Sequence, residues 1–138
     1  NSRFSSIAGT EAYMAPEIKS HFLNGTKPYK HSDPEINKKQ DMYQLGLILY
    51  QITHKMKTNM QKNQLFNQLQ KHRKLADQCP VIKGQHIEYD MILHMTEQNA
   101  ENRPSAIDII NNYLPKWADQ IKQEDIQFES SMEEGAEV

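Results

Sequence analysis

The run from Met42 to Ile52 constrains this chain more than any other feature. Met42, Tyr43, Leu45, Leu47, Ile48, Leu49, Tyr50 and Ile52 are apolar and fall on every side of a helix. A helix that is apolar all round belongs at the centre of a core, with other elements packed around it. The run is about half the roughly 20 residues that a membrane span needs, so the predicted surroundings are protein.

The rest of the chain offers helices to surround it. Residues 15–22 read as a short helix with Pro16 in its first turn. Residues 23–39 carry Asn-Gly, Lys-Pro and Asp-Pro punctuation and read as a long loop. A polar helix is predicted over 58–76, with Leu65, Phe66 and Leu69 as its buried edge. Another is predicted over 87–97, where Ile87, Met91 and Met95 recur every four residues. Ser105 and Asp108 form the ends of a capping box, and Ile107, Ile110 and Leu114 then face one way. A last amphipathic helix is expected over 116–127, around Trp117, Ile121 and Phe128. Residues 129–138 are acidic and poor in core formers, and read as a disordered tail. No convincing strand run occurs, so the predicted class is mainly α.

Charge and cysteine content narrow the function. The 138 residues hold 16 basic and 18 acidic side chains, a net charge of −2, which excludes a generally basic nucleic-acid binder. The one cysteine, Cys79, excludes a disulfide framework and suits a reducing compartment. With no signal-peptide pattern, the expected location is cytosol or nucleus, away from membranes. The six histidines show no metal-ligand spacing.

Three short motifs follow in order. Gly9-Thr10-Glu11-Ala12-Tyr13-Met14-Ala15-Pro16-Glu17 is the first. Asp41-Met42-Tyr43-Gln44-Leu45-Gly46 heads the apolar run, and Asn102-Arg103-Pro104-Ser105 precedes the capped helix. Together they resemble the C-terminal part of the large lobe of the eukaryotic protein kinases, serine/threonine type. Gly-Thr-x-x-Tyr-Met-Ala-Pro-Glu resembles the end of that family's activation segment. The other two resemble the start of its central buried helix and of its penultimate helix. The resemblance covers roughly residues 1–115 as a partial kinase domain, with a trailing helix over 116–128.

The resemblance implies a helical subdomain preceded by an activation-segment loop. It implies that Gly9, Thr10 and Tyr13 shape the substrate pocket, with Thr10 holding a hydroxyl near the family's catalytic Asp. Tyrosine kinases usually carry Trp in place of Tyr-Met, so it favours Ser/Thr specificity. It implies that Glu17 pairs with Arg103, and that Asp41 at a helix start accepts backbone N–H bonds from the catalytic loop; a plain N-cap Asp is the bland alternative. Ser5 and Ser6, near Arg3, fall where such kinases are often switched on by phosphorylation, though solvent-facing serines would look the same.

Phosphoryl transfer needs a Gly-rich loop, a phosphate-binding Lys, a catalytic Asp and a metal-binding Asp. The chain contains none of the corresponding motifs, all of which lie upstream of Gly-Thr in the family. ATP and Mg2+ are therefore expected for a longer parent, with none bound by residues 1–138, no catalytic residue and no metal site within them. The alternative is a pseudokinase or truncated product that binds partners without chemistry. Three departures are visible. The stretch between Glu17 and Asp41 is longer than usual, no Pro-Phe occurs near Lys55-Met56-Lys57, and Ala100 stands where proline is common. The Asp41–Leu49 wording is also similar to that of the stress-activated translation-initiation-factor kinases.

The parent's expected partner is a protein substrate. Lys55, Lys57, Lys62, Lys71, Arg73 and Lys74 form a local basic surface with no acid between Asp41 and Asp77. This surface, on the helix near residues 55–74, is a candidate dock for acidic partners; a solvated helix face is the bland reading.

Overall fold

The computed structural model of the chain describes residues 12–23, 34–76 and 86–136. Among them are helices α1 (Pro16–Leu23), α2 (Pro34–Thr53), α3 (Asn59–His72) and α4 (Ile87–Met95). A 3-10 turn (Ala100–Asn102) follows. Then come α5 (Ala106–Asp108), a π-helical segment (Ile109–Tyr113) and α6 (Leu114–Ala136). No strand occurs among the described residues.

Helix α2 is the hub and packs chiefly on α4. The close approach requires Gly46: a Cβ there would lie 2.8 Å from both Met95 Cβ and Thr96 Cγ2. Ala15, Tyr43, Leu47, Tyr50, Phe66, Leu69, Tyr89 and Ile92 form the main core, and Met42, Met91 and Met95 a second cluster.

Two expectations about α2 are corrected. The helix begins at Pro34, inside the stretch read as loop, because Asp-Pro here supplies a proline preset for a helix's first turn. The helix is also not buried all round. Leu45, Ile48 and Ile52 are exposed by 50%, 42% and 67%, and they share one stripe with exposed Asp41.

The other helices show how termini are satisfied. Thr58 Oγ1 accepts the Gln61 N–H at 3.0 Å while Gln61 Oε1 accepts the Lys57 N–H at 2.9 Å, which closes the start of α3. Helix α4 is capped by side chains from elsewhere. Gln120 Oε1 of α6 accepts the Ile87 N–H at 2.9 Å. At the other end Arg73 donates to the carbonyls of Leu93 and Thr96, which fits a cation at the negative end of a helix.

Helix α5 starts with the full capping box: Asp108 N–H to Ser105 Oγ at 3.1 Å, and Ser105 N–H to Asp108 Oδ2 at 3.0 Å. The expected inward stripe of Ile107, Ile110 and Leu114 instead points outward, at 67%, 57% and 41% exposure. Ile109, Tyr113 and Trp117 pack on the methionine cluster in its place. The π segment, with its wider i→i+5 turn, carries this four-residue spacing along one face. Helix α6 continues to Ala136, through most of the segment that composition reads as an unstructured tail.

Candidate functional site

Arg103 is the most heavily engaged side chain described. It is 1% exposed, and its guanidinium uses all five of its donors. Nη1 donates to Glu17 Oε1 at 2.7 Å and Nη2 to Glu17 Oε2 at 2.9 Å, the parallel two-bond geometry of a carboxylate clamp. The remaining bonds reach the carbonyls of Glu97 at 2.7 Å, Lys39 at 3.1 Å and Gln98 at 3.1 Å. The guanidinium also lies 4.8 Å from the Tyr43 ring centroid, a cation–π contact. Burial raises the Tyr43 phenol above its ordinary pKa, so the ring stays neutral beneath the cation. One side chain thus joins α1, α2 and the loop after α4.

Lys39 returns the contact by donating to the Arg103 carbonyl. Pro104 is fully buried, so the Arg-Pro-Ser turn is held at its middle while Ser105 opens the next helix.

Glu17 sits in the first turn of α1 with its side chain 26% exposed. The segment before it is locked as well. Met14 and Ala15 are buried. The Tyr13 hydroxyl donates to Gln51 Oε1 of α2, its ring meets Phe66 edge-on at 5.5 Å, and Lys62 Nζ lies 5.0 Å over it. Tyr13 therefore fastens the chain to α2 and α3. Gly9, Thr10, Ser5 and Ser6 lie outside the described residues.

Asp41 is not a helix cap. It stands in the second turn of a helix that begins at Pro34, and its carboxylate faces outward beside Leu45. An indentation of about 230 Å³ adjoins it, with Lys38, Lys39, Leu45, Pro104 and Ser105 in its walls. A larger cavity of about 440 Å³ lies between α1 and α3, bordered by Met14, Lys19, Asn67, Gln70, Lys71 and Gln98.

The basic surface is smaller than the sequence implies. Arg73 is turned inward as the α4 cap and lies 3.9 Å from Glu97, and Lys62 is drawn over Tyr13. Lys55, Lys57, Lys71 and Lys74 remain exposed. The role of Arg73 left no signal in the sequence, since a left-handed residue at a helix end is usually Gly or Asn; its φ is 54°. Among the described residues, no group of three or more His, Cys, Asp or Glu side chains could hold a metal ion.

The sequence is similar to known proteins. The chain is 30% identical over 104 residues to eukaryotic translation initiation factor 2-alpha kinase 2 of Schizosaccharomyces pombe. It is 26% identical over 110 residues to the eIF-2-alpha kinase GCN2 of Arabidopsis thaliana. These matches take in 75% and 78% of this chain but only 15% and 8% of the relatives' own lengths. No family model and no solved structure matches. The similarity supports a relationship to the protein kinases, and the helical architecture is that of the C-terminal helical subdomain of the kinase fold.

Proposed function

We propose that residues 1–138 are the C-terminal part of the large lobe of a serine/threonine protein kinase, whose parent transfers the ATP γ-phosphate to protein Ser/Thr with Mg2+. The observation that carries this reading is the Glu17–Arg103 clamp. It brings the Ala-Pro-Glu and Arg-Pro-Ser motifs into contact through two parallel hydrogen bonds, and Tyr43 of the Asp41–Gly46 motif lies under the cation. In this reading the clamp fixes the end of the activation segment on α2, so that Gly9 and Thr10 meet the substrate residue in a set position. Tyr13 acts as the second fastening of that segment.

The exposed stripe of Asp41, Leu45, Ile48 and Ile52 supports the same reading. An apolar stripe beside an outward carboxylate suits a further segment of the parent, one that offers backbone N–H groups to Asp41 and covers the three aliphatics. Nucleotide and metal would be held by that part of the parent, and residues 1–138 alone would be inactive. The named activity of both relatives makes the α-subunit of translation initiation factor 2 the first substrate to try. Exposed Lys55, Lys57, Lys71 and Lys74 would give an acidic protein partner a salt-sensitive approach.

The test is transfer of labelled γ-phosphate by the parent protein. Incorporation into Ser or Thr of a protein, reduced by Thr10→Ala, would support the proposal. A folded parent that binds nucleotide but transfers nothing would leave the binding-module reading in its place.

A further inference from the structure

The second half of α6 projects from the domain. From Ile121 to Glu133 every residue is exposed, and an isolated helix of this length is marginal in water. Its exposed residues are not all polar. Leu114, Ile121 and Phe128 recur at seven-residue intervals with 41%, 44% and 65% exposure, and Met132 is 61% exposed. On an α-helix these four lie within an arc of about 40°. Trp117 borders the stripe on the domain side, against the methionine cluster. This seven-residue apolar repeat supplies one of the two positions per heptad of a coiled-coil seam, with Ala118, Asp125 and Met132 at the other.

The charges select what fills it. The first half of α6 carries Lys116 and Lys122 with Asp119. The second half carries Glu124, Asp125, Glu129, Glu133 and Glu134 and no base. Two such helices side by side in the same direction would set acid against acid. In opposite directions, each acidic half lies along the other's lysine-bearing half.

We propose that α6 is a self-association helix through which two copies of this chain pair in antiparallel fashion, with Ile121 at the two-fold axis. Leu114 of one copy then faces Phe128 of the other on both sides of the axis. Ile110, 57% exposed on the π segment, meets Met132 at each end. The interface is isologous, as a two-fold dimer requires. It uses a face distinct from the α2 stripe and does not depend on the kinase reading.

The experiment is light scattering of the full chain up to about 100 µM, which reads any association with a Kd at or below that concentration, together with cysteine cross-linking in a Cys79→Ser background. The wild-type chain is expected to be dimeric, and Ile121→Asp with Phe128→Asp to weaken the dimer at least about 100-fold. Ile48→Asp, on the α2 stripe, is expected to leave the dimer intact. Ile121→Cys should cross-link to itself. Leu114→Cys and Phe128→Cys should cross-link only when mixed. A monomeric chain, a dimer that survives the double Asp substitution, or self-linking of Leu114→Cys would each overturn the proposal.

Discussion

Replacing Arg103 by lysine keeps the charge and removes the geometry, so it isolates what the clamp contributes. Arginine satisfies two carboxylate oxygens and three carbonyls through five donors. Lysine has three donors on one atom, so at least two of these acceptors lose their partner. A buried acceptor left unpaired costs about 1–3 kcal/mol. The side chain of Glu17 is 26% exposed, so water can solvate part of what is lost on that side. The weakened cation–π contact with Tyr43 adds at most about 0.5–1 kcal/mol. The expected destabilisation for Arg103→Lys is about 3 kcal/mol, at the low end of the range for breaking a buried pair. Urea unfolding followed by far-UV circular dichroism reads this as a lower midpoint at unchanged slope. A double-mutant cycle with Glu17→Gln should return a coupling of at least about 1.5 kcal/mol. A loss below about 1 kcal/mol, or additive single variants, would show that the clamp does not hold the segment.

Other substitutions test the remaining contacts. Gly46→Ala should cost about 1–3 kcal/mol in the same unfolding assay, since the new methyl meets Met95 and Thr96 at 2.8 Å. Ser105→Ala should cost about 1 kcal/mol by removing the capping box, and Ser105→Thr should restore most of it. Burial holds His54 below its ordinary pKa. The unfolded chain therefore takes up a proton near pH 6.5 that the folded chain resists, and stability should fall as pH drops from about 7 to 5. His54→Gln should flatten that part of the unfolding profile.

The sequence made the helical run Met42–Ile52, the capping box and the three motifs legible because each rests on local spacing. Other features depended on tertiary context. Residues 107–117 contain two stripes of helical spacing, Ile107–Ile110–Leu114 and Ile109–Tyr113–Trp117. Only the methionine cluster beneath them decides which is inward. The run at Met42–Ile52 has enough apolar residues to be buried on all sides, yet the described residues supply neighbours for only part of its circumference. The Asp-Pro pair at 33–34 is ambiguous between a turn and a helix start, and its resolution as a start moves Asp41 from a cap to an exposed position one turn before Leu45. Arg73 reads as one of a row of surface bases, and only the fold aims it at the end of α4.

The most direct test of the central claim is phosphate transfer by the parent protein that contains this chain, with labelled ATP, Mg2+ and a protein substrate. Label is expected on Ser or Thr, lost or strongly reduced by Thr10→Ala and also by Arg103→Lys at a temperature where the variant stays folded. A folded, nucleotide-bound parent that transfers no phosphate, or one whose transfer ignores both substitutions, would contradict it.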